Sequence, residues 1–280
     1  MPPPESPSYA TLAVSRDGGI VTVTIDHAPM NLLDAALMAD LDRLGRELEA
    51  DSAVRVVVFR SANPDYFIAH ADVTLIQALP TEAGPKSAEL SYFHALVERF
   101  RLLPCVTIGV IQGRARGGGS EFLLSLDLRF GALGRCVVSQ PEVALGILPG
   151  GSGTQRLPRL MGRARALEAI LGCADFDALE AERYGWINRA LPDAELEPFV
   201  ANLAARIASS PREAVALAKR AVDAAEGTTH DGLLEEQHLF NLTLENPEAQ
   251  TRMKAFLECG GQDPVGELDL ESILARLAEN

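Results

Sequence analysis

The chain has 280 residues, of which 47% are hydrophobic and 23% are charged, as in ordinary globular domains with a sizeable core. Its formal net charge of −14 argues against a nucleic-acid-binding protein that relies on overall basicity, because phosphate binding needs clustered Lys and Arg. An anionic small molecule held by a local patch of cations is still compatible with this charge.

The N-terminal sequence and the cysteines indicate the cellular compartment. Residues 1–9 are rich in proline and lack both the basic and the apolar segment of a secretory signal, so we expect a disordered leader. No run of about eighteen apolar residues occurs, so no membrane span is expected. The four cysteines show neither a CxxC pair nor a metal-ligand spacing with the five histidines. We therefore expect a cytoplasmic protein with reduced, buried thiols and no metal site.

The first half of the chain alternates strand and helix patterns. In the sequence VTVTI at 21–25, apolar residues alternate with polar ones, which predicts one strand of a β-hairpin. Every residue of 54–59 except Arg55 is apolar, which predicts a strand buried on both faces. In chain order the predicted elements are strands at 11–15 and 20–26, a helix at 32–48, a strand at 54–59, a short helix ending near 79, a helix at 87–103 and a strand at 105–111. This order predicts an α/β core with crossover connections.

The second half changes character after the sequence PGGSG at 149–153. Strand patterns stop there, and the remaining chain is predicted to form successive helices. We therefore predict a core at 10–210 and a helical region at 211–280 that docks on the core or on a neighbouring subunit. The breaks between the predicted helices are Pro192, Pro211, 227–229 and Pro247.

The most informative stretch is the sequence GRARGGGSE at 113–121. It joins an apolar run typical of a buried strand to FLLSL at 122–126, which is typical of a buried helix. Three consecutive glycines at this junction let a ligand approach the bare backbone, and the N–H groups that open the helix attract negative charge. No Gly-Lys-Ser/Thr follows the glycines, so the stretch is not a phosphate-binding P-loop.

Two carboxylates accompany this junction. Glu121 lies in the first turn of the predicted helix, and Glu142 follows in the sequence SQPE at 139–142. A glutamate at a helix start can also be a purely structural residue that the helix dipole stabilises. Together with backbone donors, however, two carboxylates suit a reaction in which an oxyanion develops beside a moving proton.

Four segments occur in the order and spacing of one known family. They read FIAHAD at 67–72, GRARGGGSE at 113–121, QPEVALGILPG at 140–150 continued by GTQRL at 153–157, and ERYGWINR at 182–189. They resemble the family patterns F-x-A-G-A-D, G-x-A-x-G-G-G-x-E, Q-P-E-x-x-x-G-x-x-P-G and A-x-x-x-G-L-V-N-x-V. From about residue 10 to residue 260, the chain therefore resembles the crotonase family of enoyl-CoA hydratases and isomerases.

This resemblance implies an α/β fold, a spiral of ββα units, followed by C-terminal helices that build a trimer, commonly stacked into a hexamer. The expected assembly is a homotrimer or a dimer of trimers. The implied binding partner is an acyl-CoA substrate, and no nucleic acid is expected. No separate cofactor is implied, because coenzyme A is part of the substrate.

The resemblance also assigns catalytic groups. The backbone N–H groups of Ala71 and Gly118 would bind the thioester oxygen and stabilise its enolate. Glu121 and Glu142 correspond to the two glutamates of hydratases, whereas isomerases usually retain only the second. The leading interpretation is an enoyl-CoA hydratase whose two carboxylates hold a water beside the β-carbon, with Glu142 exchanging the proton at the α-carbon. The implied substrate-binding positions are Met30, Ala69, His70, Asp72, Arg116, Gly117, Pro141 and Gly150.

Two of these positions depart from the family pattern. His70 stands where the family has glycine, and it either narrows or polarises the acyl pocket or faces away as an ordinary loop residue. Arg116 replaces a usually apolar residue, and it either binds a carboxylate on an unusual substrate or pairs with an acid such as Glu121 or Glu142. These departures keep open an isomerase or another enolate-forming reaction, such as decarboxylation or thioester hydrolysis. A non-catalytic CoA-binding or RNA-binding scaffold is the alternative outside the enzymes.

The remaining polar candidates are interpreted as structural or solvated residues. Arg156, in the sequence GTQRL, is expected to brace its loop rather than to bind phosphate. His94, His230 and His238 lie in helical or polar stretches and are expected to be solvated.

Overall fold

The computed structural model describes residues 9–82, 84–227 and 229–278, so the predicted leader lies outside it except for Tyr9. The strands in chain order are β1 Leu12–Asp17, β2 Ile20–Ile25, β3 Val56–Ser61, β4 Tyr66–Ile68, β5 Val106–Ile111, β6 Arg114–Arg116, β7 Leu128–Ala132, β8 Val137–Ser139, β9 Phe176–Asp177 and β10 Arg189–Leu191. The α-helices are α1 Ala35–Ala50, α2 Val73–Gln77, α3 Tyr92–Leu102, α4 Gly118–Leu124, α5 Gly153–Met161, α6 Arg163–Gly172, α7 Ala178–Tyr184, α8 Asp193–Ala208, α9 Arg212–Glu226, α10 His230–Glu245, α11 Pro247–Glu258 and α12 Leu270–Ala278. Short 3-10 helices cover Glu142–Leu145 and Gly266–Asp269. None of the helices within the described ranges is long and apolar enough to cross a membrane.

Two sheets form the centre of the structure. The larger sheet has the strand order β1-β2-β3-β5-β7-β10, in which β1 and β2 form an antiparallel hairpin and the other neighbours are parallel. The smaller sheet has the order β4-β6-β8-β9, with an antiparallel pair between β8 and β9. Parallel neighbours need crossover connections, so the predicted α/β core is confirmed.

Local sequence explains the hairpin and the central strand. In β2 the side chains of Val21, Val23 and Ile25 are buried while the intervening residues are half-buried, as the period-2 pattern predicts. Strand β3 lies between β2 and β5, and its first four residues, VVVF, are all buried. Both strand predictions are confirmed.

Capping residues set the starts of helices α1 and α3. Helix α1 begins at Ala35, later than predicted, because Asp34 Oδ1 accepts a hydrogen bond from the Leu37 N–H at 2.9 Å. Helix α3 begins at Tyr92 rather than near residue 87, because the Ser91 hydroxyl accepts from the N–H three residues later at 3.3 Å. The apolar spacing predicted both helices but did not show where their caps lie.

Strands β9 and β10 contradict the prediction that strands stop before residue 153. They contain two and three residues, which is too short for an alternating pattern to be visible in the sequence. Strand β10 extends the larger sheet beside β7, and β9 pairs with β8. Both strands therefore depend on pairing with partners that tertiary folding brings close.

The C-terminal helices pack on the core beside the 3-10 helix that follows β8. An apolar cluster joins Leu244, Met253 and Ile273 of these helices to Leu145 and Ile147. Fully burying one such side chain contributes about 1.5–3 kcal/mol, so this contact attaches the helices firmly to the core. The boundary at residue 210 between core and helical region stays a prediction.

Candidate active site

A cavity of about 340 Å³ opens between α2, α3, α4, α10 and the loop at 147–150. Both predicted glutamates, Glu121 and Glu142, line it, as do the two residues predicted to supply backbone donors, Ala71 and Gly118. These four residues come from three segments of the chain, since Gly118 and Glu121 share helix α4, and the fold brings them to one site. Apolar residues that line the cavity include Leu33, Met38, Leu75, Ile76, Phe93 and Phe240.

The N–H groups of Ala71 and Gly118 are adjacent and unused. Ala71 forms a parallel bridge with Leu33, in which the Leu33 N–H donates to His70 O at 2.9 Å and the Asp72 N–H donates to Leu33 O at 3.1 Å. The Ala71 N–H therefore points away from this bridge. Gly118 opens helix α4, where an N–H has no acceptor in a preceding turn. Within the described residues, neither N–H donates a hydrogen bond to the protein.

Glycine at positions 117 and 118 permits this arrangement. Gly117 has a φ of +48°, a backbone conformation that L side chains rarely adopt. A Cβ on Gly118 would lie 3.0 Å from Ala71 Cβ and 3.4 Å from Ala71 N, so a side chain there would crowd the neighbouring donor. The bare backbone leaves room for one oxygen to accept from both N–H groups.

Glu121 is held by the loop that opens helix α5. Its Oε1 accepts hydrogen bonds from the N–H groups of Gly151 at 2.7 Å and Gly153 at 2.8 Å. Burial raises the pKa of this carboxyl to about 8, the negative charge of Glu236 adds to the rise, and the two N–H bonds oppose it. Its other oxygen, Oε2, accepts no hydrogen bond from the described residues, so it is available to a ligand in the cavity.

Glu142 opens the 3-10 helix and lines the same cavity. With the Gln140 amide turned so that its nitrogen faces Glu142, this nitrogen donates to the two carboxylate oxygens at 2.9 and 3.0 Å. Burial raises the pKa of Glu142 well above its ordinary value, and the charge of Glu121 raises it further. Neighbouring carboxyls of this kind share protons, so their titration belongs to the pair rather than to either glutamate.

Four further predicted positions lie at or beside the cavity. Asp72 and Gly150 line it directly. Gly117 and Pro141 adjoin Glu142: a Cβ on Gly117 would lie 3.0 Å from Glu142 Oε1, and Pro141 is the preceding residue. Gly117 and Pro141 therefore shape the surroundings of the glutamate, whereas Asp72 adds a carboxylate to the cavity wall.

Met30 and Ala69 lie in the interior and do not line this cavity. Both are buried with Tyr66 in a small apolar cluster. The Ala69 N–H donates to the Met30 carbonyl at 3.3 Å. The pair thus packs in the interior and supports the segment that leads to Ala71.

His70 faces away from the cavity, which corrects its interpretation as an acyl-pocket residue. Its Nε2 lies 2.8 Å from Glu267 Oε1, and its Nδ1 lies 2.8 Å from the carbonyl oxygen of Ala71. Both partners can only accept, so both ring nitrogens donate and the ring is an imidazolium. Burial alone would lower the pKa of His70, but the Glu267 carboxylate raises it above its ordinary value.

Arg116 pairs with acids other than the two glutamates of the cavity. Its side chain is fully buried, and its Nε and Nη2 donate to the Asp175 carboxylate at 2.8 and 2.6 Å. Its Nη1 donates to the Glu267 carbonyl at 2.7 Å. A buried guanidinium needs such partners because it cannot lose its charge. The interpretation of Arg116 as a ligand for a substrate carboxylate is therefore corrected.

Two residues of the site, His94 and Glu236, were missed in the sequence. Glu236 on α10 accepts hydrogen bonds from the N–H groups of Ser152 at 2.5 Å and Thr154 at 2.9 Å. His94 was expected to be solvated, but it is 1% exposed, and its Nε2 lies 3.0 Å from Glu236 Oε1. The Ser91 hydroxyl lies 2.7 Å from His94 Nδ1, so both ring nitrogens have partners. Neither residue belongs to a motif, and the serine cap before His94 is the one local signal.

Arg156 braces its loop, as expected from the sequence. Its Nε donates to the Ser152 hydroxyl at 2.8 Å, and its guanidinium pairs with Glu98. His230 is exposed and His238 is half-buried on helix α10. Across the described ranges, no group of three His, Cys, Asp or Glu side chains is arranged to hold a metal ion.

A family model for enoyl-CoA hydratase/isomerase matches residues 15–263 of this chain. The chain belongs to this family. Over 247 residues it is 32% identical to the short-chain-enoyl-CoA hydratase of Clostridium acetobutylicum, covering 88% of this chain and 94% of that protein. Over 257 residues it is 31% identical to the crotonyl-CoA hydratase of Syntrophomonas wolfei, covering 90% of this chain and 96% of that protein.

Solved structures support the same family membership. A Streptomyces avermitilis protein, provisionally assigned as an enoyl-CoA hydratase, has a TM-score of 0.90 and 40% sequence identity. That match covers 98% of this chain and 100% of the other chain. An enoyl-CoA hydratase from Bacillus anthracis, 29% identical, has a TM-score of 0.70 and covers 89% of this chain and 96% of its own. The resemblance to the enoyl-CoA hydratase/isomerase family is therefore confirmed.

Proposed function

We propose that this chain is an enoyl-CoA hydratase, which adds water reversibly to a 2-enoyl-CoA and forms a 3-hydroxyacyl-CoA. The observation that carries this proposal is one cavity lined by two unused N–H groups and by two carboxyls with raised pKa values. The relatives named as short-chain-enoyl-CoA and crotonyl-CoA hydratases support it. Shifting a double bond requires proton exchange on carbon alone, so it does not call for a second acid to handle water.

In this proposal the thioester oxygen accepts hydrogen bonds from the N–H groups of Ala71 and Gly118. These donors are already in place, and one such donor is worth about 3–4 kcal/mol when charge develops on the oxygen. A water between the glutamates gives a proton to Glu121 as its oxygen bonds to the β-carbon. Glu142 then delivers a proton to the α-carbon. One water has been added, and the glutamate pair still holds one proton, now on Glu121.

The rest of the cavity suits an acyl chain. Its apolar wall includes Leu33, Met38 and Phe240, which offer contact to methylene groups without competing hydrogen bonds. Two exposed residues at its rim, Leu75 on α2 and Leu79 just after this helix, are also apolar. A volume of about 340 Å³ lies within the range of typical ligand cavities.

The test is the loss of the conjugated enoyl absorbance with crotonyl-CoA and with longer 2-enoyl-CoAs, followed by identification of the product. We expect a 3-hydroxyacyl-CoA. A 3-enoyl-CoA would instead favour an isomerase, and a free acid would favour a thioester hydrolase. No turnover at any chain length, together with CoA binding by calorimetry, would contradict the enzyme and favour a non-catalytic scaffold.

We also propose that the chain assembles as a homotrimer or a hexamer and works in the cytoplasm. Large apolar side chains are exposed on α9 and α10, and exposed apolar surface fits contacts between subunits. They are Leu217, Val222, Leu239 and Leu242. All four cysteines are free thiols, which fits a reducing compartment. Sedimentation velocity tests the assembly and cell fractionation tests the location; a monomer or a secreted protein would contradict them.

A further inference from the structure

The loop at 151–154 divides four consecutive N–H groups between two carboxylates. The N–H groups of Gly151 and Gly153 donate to Glu121 at 2.7 and 2.8 Å. Those of Ser152 and Thr154 donate to Glu236 at 2.5 and 2.9 Å. Glu236 lies on α10, far along the chain from the other parts of the site. One loop therefore connects the carboxylate that faces the cavity to a carboxylate of the C-terminal region.

Glu236 is buried and fully hydrogen-bonded. It is 1% exposed, its Oε2 also accepts from the Thr154 hydroxyl, and its Oε1 lies 3.0 Å from His94 Nε2. Four donors around two oxygens suit a carboxylate rather than a carboxylic acid, which would need an acceptor. Glu236 therefore places a fixed negative charge next to the loop at 151–154.

The loop needs this support. Ser152 has a φ of +98°, a conformation that a residue other than glycine rarely adopts and that surrounding contacts must maintain. Its N–H is held by Glu236 and its hydroxyl by Arg156. If the loop relaxed, the two N–H groups that hold Glu121 would move with it.

The charges around Glu236 leave its effect on Glu121 largely uncancelled. His94 from α3 contacts it directly, while Glu121 from α4, Glu142 from the 3-10 helix and Arg156 from α5 act on it through space. Arg156 is paired with Glu98, and its charge lowers the pKa of Glu121 by less than the Glu236 charge raises it. Among the described residues, no lysine or arginine forms an ion pair with Glu236.

We infer that Glu236 is a positioning residue of the active site: it fixes the loop that holds Glu121, and its charge favours proton uptake by Glu121. A carboxylate that binds a proton more tightly is a better acceptor for the proton of an attacking water. After burial, the Glu236 charge is the next cause that raises the pKa of Glu121 to about 8. This role rests on the proposed hydratase activity, and it makes α10 part of the reaction site.

The first test is the pH dependence of kcat/KM for crotonyl-CoA in Glu236→Gln. The amide keeps the size of the side chain and removes its charge, so the limb of the profile that reports Glu121 should move to lower pH by about one unit. The value of kcat should fall roughly tenfold to a hundredfold, because the loop and Glu121 shift from their productive positions. A folded variant whose profile superimposes on that of the unmodified enzyme would overturn the inference.

A second variant, Glu236→Asp, separates charge from geometry. It keeps the charge and shortens the reach, so kcat should fall while the pH limb stays near its original place. An unchanged kcat would contradict the positioning role, and this result also decides the matter if the glutamine variant does not fold. The matched control is Glu235→Gln, since Glu235 is the next residue on α10, is exposed and pairs with Lys86. A loss in this control equal to that in Glu236→Gln would show a general effect on α10 and would count against the inference.

An infrared titration makes the test independent of turnover. In protein labelled with isotopic glutamate, the carboxyl band of Glu121 is identified by its loss in Glu121→Gln. This band should titrate at lower pH in Glu236→Gln than in the unmodified protein, and an unmoved band would overturn the inference. A protein that hydrates no enoyl-CoA would refute the proposed function, while this titration would still decide the role of Glu236.

Discussion

Two clusters of buried and half-buried acids adjoin the segment at 116–121 and differ in their partners. The cavity cluster consists of Glu121, Glu142 and Glu236, and the paired cluster consists of Asp175 and Glu267 with Arg116 and His70. In the cavity cluster, no lysine or arginine of the described chain lies within ion-pair distance of the three glutamates, and the pKa values of Glu121 and Glu142 are raised. In the paired cluster, burial alone would raise the pKa of Glu267, but the charges of His70 and Arg116 lower it.

This difference teaches how one segment serves both chemistry and stability. Burial disfavours a carboxylate in either cluster, so the neighbouring cations decide whether it keeps its proton. A carboxyl without a cation can exchange a proton near neutral pH, which is what catalysis at that pH requires. Glu267, whose pKa the His70 and Arg116 charges lower, instead serves as a structural partner that links distant segments.

The largest effect is expected in the cavity cluster, from Glu142→Gln. Removing the group that exchanges the α-carbon proton should lower kcat by about 10²–10⁴-fold with crotonyl-CoA, while CoA binding measured by calorimetry changes little. The control is Glu258→Gln, whose side chain is 67% exposed and pairs loosely with Lys254, and which should leave the rate unchanged. Near-normal turnover in Glu142→Gln would refute its assigned role.

In the paired cluster, Arg116→Met should cost about 3–5 kcal/mol of unfolding free energy, because Asp175 and Glu267 lose their buried cation. Urea unfolding measures this loss. As a control, Lys254→Met removes an exposed helix pair with Glu258 and should cost at most about 0.5 kcal/mol. A raised KM with unchanged stability in Arg116→Met would instead place this arginine at the substrate.

A pH-dependent effect is expected from His70→Gln. Its bond to Glu267 is charge-assisted, so the variant should lose about 1.5–3 kcal/mol at low pH. The folded pKa of His70 is raised above 6.5, so its stabilisation is complete below about pH 6.5 and is lost as the pH rises through the folded value. The unfolding free energies of the two proteins should therefore converge as the pH rises. A difference that stays constant with pH would contradict the imidazolium.

The smallest effect is a gain in stability from Glu121→Gln. The folded protein binds the Glu121 proton more tightly than the unfolded chain does, since its pKa rises from 4.5 to about 8. The stabilisation from this proton is complete below about pH 4.5 and is lost as the pH rises towards 8. A neutral amide avoids that loss, so the variant should be inactive yet roughly 1–2 kcal/mol more stable above pH 8. If the unfolding free energies of the two proteins changed in parallel with pH, Glu121 would carry no buried charge.

The sequence predicted those parts of the fold and site whose information is local. The alternation in β2 and the apolar run in β3 depend on neighbouring residues, and the structure has both strands. Gly117, shortly before Glu121, has a positive φ that other residues rarely adopt, so a short motif was enough to mark the site. Strands β9 and β10 are too short to carry such a pattern, and they were not predicted.

Tertiary structure alone decided which way the charged side chains point. The bonds Arg116–Asp175, Glu236–Ser152 and His70–Glu267 join residues separated by 59, 84 and 197 positions. From the sequence, Glu121 and Glu142 could be recognised as carboxylates of a motif, and Arg116 and His70 could be recognised as unusual neighbours. Whether each charge is compensated depends on burial and on partners from distant segments. Both arise only when the helices and sheets have packed together.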